Sequence, residues 1–247
     1  EFTLIGTTDQ ELHGDPRGAR IDADEIAYLC EQASRYFTRP VTPADVVWSY
    51  SGVRPLLDDA SGDPSAVTRD YLLETNTDAA PLLSVWGGKI TTFRKLAEEA
   101  ADGLVQRLGD RRPAWTAPAL LPGGDLSAWI GAASRPDLDI RRFTAELGKR
   151  HPQLPAPLLQ RWARCYGGLV DQVLNGGALG AEVAPGLYES ELVHLHDHEW
   201  ARSADDVLWR RTKLGLHHTP AQRAQVATWW AARFGVPAGA VQEAACS

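Results

Sequence analysis

Methionine is absent from the 247-residue sequence, and cysteine is scarce, with only Cys30, Cys165 and Cys246. An odd number of widely spaced cysteines argues against a disulfide scaffold and favours a reducing compartment. No apolar run approaches the roughly 20 residues that a membrane-spanning helix needs. Basic residues are in the minority, because 25 Lys and Arg face 32 Asp and Glu. The resulting formal charge of −7 disfavours a nucleic-acid partner.

What is present is the composition of an ordinary globular protein, 44% hydrophobic and 23% charged. The length is sufficient for two ordinary domains. The sequence starts at Glu1 rather than at a methionine, and residues 2–8 already show a strand-like pattern. Ordered structure rarely begins at the first residue of a domain. We therefore expect these residues to be a fragment of a longer protein.

The chain divides into two regions of different character. Strand patterns at residues 2–8, 46–50, 68–74 and 81–86, with helix patterns between Asp22 and Pro40 and over 89–108, predict an α/β region at 1–110. Prolines and glycines predict a linker at 111–125. Residues 126–247 show helix signals only, at 138–150, 155–165, 169–174, 190–200, 204–214 and 219–234. The predicted fold class is α+β, with an all-α C-terminal domain.

The strongest candidate site is the junction where a predicted strand meets the pair Gly87 and Gly88, then Lys89, then a long helix. A helix N-terminus presents free backbone N–H groups and partial positive charge, and adjacent glycines let a ligand approach closely. The glycine spacing is not that of a Walker loop. This pattern predicts an anion-stabilising site, and the alternative is a glycine-softened turn with an exposed lysine.

Two arginines could bind a phosphate or carboxylate. Arg54 follows the strand-like residues 46–50 and precedes Pro55, and Arg69 lies in the polar stretch before Tyr71. A guanidinium can form a bidentate pair with either anion. The alternative for each is an ordinary surface or ion-paired arginine.

A run of histidines and acids at residues 194–199 invites a metal interpretation. Only His194 and His198 share a helix face, and the zincin pattern is absent. We therefore expect no metal site there, and predict a solvated, acidic helix surface instead.

Seven segments, in order along the chain, form one combined pattern: residues 4–9, 48–56, 68–71, 83–92, 117–124, 197–200 and 205–213. Together they resemble the C-terminal half of the aerobic, FAD-dependent glycerol-3-phosphate dehydrogenases. The resemblance implies a fragment of a glutathione-reductase-like FAD and substrate domain, followed by a helical domain. It also implies oxidation of sn-glycerol 3-phosphate to dihydroxyacetone phosphate, with electrons passing through FAD to membrane quinone.

The resemblance assigns roles to individual residues. Arg54 and Arg69 would hold the substrate phosphate or orient its hydroxyls, and Lys89 would lie beside the flavin and the substrate. Arg54 and Lys89 would be catalytic. The cofactor-binding set would be Gly52, Gly87, Gly88, Lys89, Ile90 and Thr91. A helix N-terminus with Lys89 would stabilise the negative charge that hydride transfer leaves on the flavin.

The Gly-x-Gly-x-x-Gly motif that binds the FAD pyrophosphate does not occur in these residues. We therefore expect the 247 residues alone to bind FAD weakly or not at all, and to be inactive. The resemblance implies a cytoplasmic protein, peripheral on the inner face of the cell membrane. Unpaired strand edges suggest a homodimer. Two alternatives stay open: an oxidase that uses oxygen, and a non-catalytic helical docking or regulatory module.

Overall fold

The computed structural model describes residues 2–54, 70–109, 113–174 and 177–235. The chain separates into two compact units, Glu1–Ala119 and Leu120–Ser247. Helices and small sheets both occur, which confirms the predicted mixed class. No helix in these described ranges is long and apolar enough to cross a membrane.

The described part of the first unit contains two helices and one hairpin. They are α1 (Ala23–Ser34), β1 (Tyr71–Asn76), β2 (Leu82–Gly87) and α2 (Phe93–Leu108), with short 3-10 turns at Pro16–Gly18, Pro43–Asp45 and Ile90–Thr92. The two strands pair antiparallel, with Tyr71 opposite Gly87 and Asn76 opposite Leu82. Helix α1 begins at Asp22, whose side chain and that of Glu25 form a capping box. The predicted helices and the strand before Gly87 are thus confirmed.

Two predicted strands of this unit are wrong. Residues 2–8 and 46–50 have no regular secondary structure. A strand exists only when a neighbouring strand accepts and donates its backbone hydrogen bonds, whatever its side-chain pattern. Among the described residues, β1 and β2 pair only with each other. The β-branched and aromatic residues at 46–50 therefore belong to no strand among the described residues.

The second unit is helical around one hairpin. Its helices are α3 (Ser127–Ile130), α4 (Pro136–Arg150), α5 (Ala156–Tyr166), α6 (Val170–Leu174), α7 (Glu189–His198) and α8 (Pro220–Phe234), with a π-helical turn at Asp206–Arg211 and 3-10 turns at Gly167–Leu169 and Leu214–Leu216. Helix α8 has the predicted capping box of Thr219 and Gln222, and Gly235 follows it. Strands β3 (Glu182–Ala184) and β4 (Leu187–Tyr188) were not predicted, because strands this short have no readable period.

A continuous hydrophobic core holds the second unit together. Its fully buried members come from every long helix and include Phe143, Leu147, Trp162, Val170, Leu192 and Val226. The core also encloses one ion pair, because Glu191 of α7 is completely buried. Arg161 of α5 donates to both of its carboxylate oxygens, at 2.5 and 2.6 Å, and Tyr166 donates to one at 2.6 Å. A buried carboxylate with three charge-assisted or hydroxyl donors is fully compensated.

The expectation of a solvated surface at residues 194–199 is wrong for His194. Glu191 and His194 are both buried, one turn apart, and the ring of His194 packs edge-on against Tyr166 at 5.4 Å. The face of α7 that carries them points at α5, so tertiary packing decides their burial. Neither ring nitrogen of His194 has a hydrogen-bond partner. Burial, reinforced by the neighbouring His198, lowers the pKa of His194 below its usual value of 6.5.

Glycines bring two loops into direct backbone contact in this unit. Gly168 N donates to Gly123 O at 2.9 Å. A Cβ on Gly167 would lie 2.2 Å from Gly123 O, and one on Gly123 would lie 2.3 Å from Tyr166 O. Residues 121–125, expected to belong to a linker, are therefore packed against the end of α5.

The close contact predicts that Gly167→Ala destabilises the protein far more than Gly131→Ala. Both glycines have similar positive-φ backbones, with φ, ψ of 52°, −132° and 75°, −150°, but only Gly167 faces an obstacle. Backbone strain alone costs about 1–3 kcal/mol, and the added clash should bring Gly167→Ala to about 4 kcal/mol or more. Urea unfolding of both variants measures the difference. Equal losses would show that the loop contact adds nothing.

The burial of neutral His194 predicts acid sensitivity. Its pKa is lower in the folded than in the unfolded chain, so the unfolded state binds the proton first as pH falls below about 6.5. The free energy of unfolding should therefore be insensitive to this residue at pH 8 and decline between pH 7 and pH 5. In His194→Phe, which keeps an aromatic ring against Tyr166, that decline should be smaller. An identical pH dependence in both proteins would contradict the prediction.

Candidate functional site

The candidate site is the turn that joins β2 to α2. Gly87 and Gly88 both adopt positive φ, at 69° and 90°, so the chain reverses sharply after the strand. Lys89 then returns to extended backbone at φ −109°, ψ 154° and directly precedes the 3-10 turn Ile90–Thr92 that leads into α2. The sequence thus places Lys89 at the entrance of a helical segment, as predicted.

Gly88 packs against the start of β1. A Cβ on it would lie 3.3 Å from the Cβ of Tyr71 and 3.6 Å from Leu96 Cδ1. The neighbouring strand and the first turn of α2 therefore both fix the position of this residue. Positive φ and close approach together require glycine here.

A hydrogen bond from Tyr71 joins β1 to α2 beside the turn. Its hydroxyl donates to Glu99 of α2 at 2.7 Å, and Lys95 Nζ lies 3.3 Å from the other oxygen of Glu99. The bond lowers the pKa of Glu99 and raises that of Tyr71, since it stabilises the charged carboxylate and the neutral phenol. The turn is therefore clamped between β1 and the second turn of α2.

The turn carries backbone donors that have no acceptor among the described residues. The first bond of the 3-10 segment runs from Thr92 N to Lys89 O at 3.0 Å, and the Thr92 hydroxyl donates to the same oxygen at 2.8 Å. The N–H groups of Ile90 and Thr91 precede that first bond and so have no acceptor inside the segment. Both residues are exposed, whereas Lys89 is half-buried. Two donors without an acceptor in the described ranges, together with one cation, make this turn suited to an anion or to carbonyl oxygens.

Arg54 lies at the end of an unpaired segment and forms an ion pair with Asp9, from its Nη1 to a carboxylate oxygen. Gly52, two residues earlier, is exposed with open space around it, so packing does not require glycine there. Within the described ranges, no hydrogen bond or ion pair joins Arg54 to the Lys89 turn. Arg69 lies outside the described residues. The grouping of the basic residues at one site therefore stays a prediction.

Sequence reasoning did not single out four residues that position these groups: Asp9, Thr8, Tyr71 and Glu99. The Thr8 hydroxyl donates to Glu25, and Glu25 also accepts from Asp22 N at 3.2 Å in the capping box of α1. The capping box is readable from the sequence, but its link to Thr8 is not. In the described part of the chain, no group of three or more His, Cys, Asp or Glu side chains could hold a metal ion.

Comparisons with known proteins show which sequences this chain resembles. Residues 1–94 match the family model described as FAD dependent oxidoreductase. The chain is 44% identical over 235 residues to the aerobic glycerol-3-phosphate dehydrogenase of Escherichia coli K12, covering 93% of this chain and 45% of the relative. The resemblance to these dehydrogenases is confirmed. The chain spans a little under half the length of this relative.

Two further relatives extend the comparison. A glycerol-3-phosphate dehydrogenase of Pseudomonas aeruginosa is 44% identical, covering 91% of this chain and 43% of the relative. A D-erythritol 1-phosphate dehydrogenase of Brucella abortus is 40% identical, covering 92% of this chain and 44% of the relative. The matching families are FAD-dependent, as expected. Proteins named for two different polyol phosphates therefore resemble this chain about equally.

The turn fits one edge of an FAD molecule. The free N–H groups of Ile90 and Thr91 suit carbonyl oxygens such as those of the flavin pyrimidine ring, and Lys89 adds positive charge beside them. Gly87 and Gly88 keep side chains away from that surface. The residues present fit the cofactor at this edge, while a pyrophosphate-binding glycine motif is absent from the sequence.

The packing of Gly88 predicts that Gly88→Ala in the full-length protein lowers the bound flavin per chain. The new methyl group would press on Tyr71 and strain a backbone at φ 90°, which moves the donors of the turn. Gly109→Ala is the control, because Gly109 has φ 75° but open space around it. Flavin absorbance relative to protein after gel filtration measures the effect. Unchanged occupancy in Gly88→Ala would contradict the prediction.

Proposed function

We propose that this chain is the C-terminal portion of an FAD-dependent dehydrogenase that oxidises sn-glycerol 3-phosphate to dihydroxyacetone phosphate. The observation that carries the proposal is the Gly87–Gly88–Lys89 turn at a helix entrance, inside a sequence 44% identical to a protein of that name. In this proposal the first unit is part of a glutathione-reductase-like FAD and substrate domain, and the second is the helical C-terminal domain.

The proposed roles of the residues follow from the resemblance and from the charge of each side chain. Arg54 and Arg69 bind the substrate phosphate, because guanidinium groups match its oxygens in bidentate geometry. Lys89 holds the reacting end of the substrate near the turn and, with the N–H groups of Ile90 and Thr91, stabilises developing negative charge. Gly52, Gly87 and Gly88 give backbone access. FAD, when bound, supplies the capacity to accept the hydride from the substrate carbon.

The partners and location of the full-length protein belong to the same proposal. Electrons pass to membrane quinone, and the protein works in the cytoplasm, peripheral on the inner face of the cell membrane. Two copies associate, because the β1–β2 hairpin is a two-stranded sheet with both outer edges unpaired among the described residues. The 247 residues alone bind FAD weakly or not at all and have no activity.

A second candidate substrate is D-erythritol 1-phosphate, the molecule that names the Brucella relative. Both candidates are phosphate monoesters of polyols, so Arg54 would serve either one. Dye-linked assays of the full-length protein with each compound, with quinone-like and oxygen acceptors, separate the substrates and separate a dehydrogenase from an oxidase. Activity with neither compound would favour the non-catalytic module. Activity of the 247-residue chain alone would overturn its proposed dependence on the rest of the protein.

The proposed phosphate contact predicts that Arg54→Ala in the full-length protein raises the KM for sn-glycerol 3-phosphate by a factor of about 30 to 900. Such a factor corresponds to losing about 2–4 kcal/mol from a charge-assisted contact. Arg39→Ala is the matched control, since Arg39 is also an exposed arginine paired with an aspartate, Asp45. Steady-state kinetics measure both. An unchanged KM in Arg54→Ala would remove Arg54 from the site.

A further inference from the structure

We propose that Asp9 is a positioning residue that holds the guanidinium of Arg54 in the orientation that binds the substrate phosphate. This inference rests on the proposed function, which assigns Arg54 to the phosphate. It adds a residue that makes no contact with the substrate itself. Asp9 acts through its ion pair with Arg54.

The two residues are 45 positions apart and meet through side chains only, from Nη1 of Arg54 to a carboxylate oxygen of Asp9. Neither residue lies in a helix or strand, so no ladder or helical hydrogen bond orients either segment. Arg54 is 43% exposed and carries a long, flexible side chain. An arginine in that situation samples many rotamers unless an ion pair restricts it.

Asp9 can restrict Arg54 because its own position is fixed. The preceding residue, Thr8, donates its hydroxyl to Glu25. Glu25 in turn accepts from Asp22 N at 3.2 Å, and Glu25 N donates to Asp22 at 2.8 Å in the capping box of α1. The carboxylate of Asp9 is therefore attached, through one residue, to the N-terminus of a formed helix.

Two effects of removing the Asp9 carboxylate change the KM in opposite directions: the loss of its negative charge and the loss of its hold on Arg54. A carboxylate beside Arg54 repels a phosphate, so removing its charge would lower the KM if charge alone mattered. If Asp9 instead orients Arg54, the freed guanidinium must be ordered by each substrate molecule, and the KM rises. The pair is half-exposed, where solvent screens the repulsion. We therefore expect orientation to dominate.

The test uses the full-length holoenzyme with Asp9→Asn, Asp9→Glu, Arg54→Ala and the double variant Asp9→Asn/Arg54→Ala. We expect Asp9→Asn to raise the KM for sn-glycerol 3-phosphate about tenfold and to leave kcat within about twofold. Asp9→Glu should recover part of that loss. In the Arg54→Ala background, Asp9→Asn should change the KM no further. Asp15→Asn removes another exposed Asp–Arg pair, with Arg17, and serves as the control.

A second variant guards against a folding defect. Thr8→Val keeps the Asp9 carboxylate and removes only the hydrogen bond from the Thr8 hydroxyl to Glu25. This variant should raise the KM by about threefold. Melting temperatures of all variants accompany the kinetics. A rise in KM with unchanged melting temperature supports positioning.

The outcomes separate this inference from the proposed function. If Arg54→Ala raises the KM but Asp9→Asn leaves it unchanged or lowers it, the role of Asp9 is wrong and the role of Arg54 stands. If the two effects simply multiply in the double variant, Asp9 does not act through Arg54. If Arg54→Ala itself leaves the KM unchanged, the proposed phosphate site fails first.

Discussion

In both units, two chain segments approach each other closely at glycines, where a side chain would press on its neighbour or clash with it. Gly88 rests on Tyr71 at the β2–α2 turn, and Gly123 and Gly167 bring two loops into backbone contact beside α5. At each contact glycine is required for two reasons: the backbone has positive φ, and a Cβ would lie too close to the neighbouring segment. The first contact aims the donors of Ile90 and Thr91 outward. The second fixes the end of α5, from which Tyr166 reaches Glu191.

The two units are stabilised differently. In the second, a continuous core of buried apolar side chains encloses a compensated ion pair. In the first, Cys30 and Ala33 are the described hydrophobic residues that are buried, while Leu72, Val85 and Trp86 of the hairpin are about half-exposed. Hydrogen bonds and ion pairs such as Tyr71–Glu99 and Arg54–Asp9 therefore carry much of its local order. An exposed apolar face of this kind is typical of a surface that contacts another chain segment or another molecule.

How far the sequence predicts the structure depends on the range of the interaction. Helix α8 is predicted to within a residue, because Thr219, Gln222 and Gly235 are local signals that need no partner. The strands expected at residues 2–8 and 46–50 fail because strand formation needs a partner chain segment. The burial of His194 was not predicted, because the periodicity of a sequence shows which residues share a helix face but not which element packs against that face. The Asp9–Arg54 pair spans 45 residues, and nothing in either local sequence indicates the other.

The candidate site itself was found in the sequence because its chemistry is local. Two glycines, a lysine and a helix start are consecutive, so their geometry follows from backbone preferences alone. The arginine part is different in kind, because Arg54 lies outside helices and strands and forms an ion pair with a carboxylate 45 residues away, which we propose orients it. In the proposed function an anionic substrate approaches a chain of net charge −7, so local cations must attract it. Lys89 is half-buried, so solvent screens its positive charge less than that of an exposed lysine. Asp9 neutralises part of the charge of Arg54, and in our proposal it holds the guanidinium in one orientation. In this proposal Lys89 supplies positive charge and Arg54 supplies an oriented phosphate contact. The orientation of Arg54 depends, through Asp9 and Thr8, on the capping box of α1.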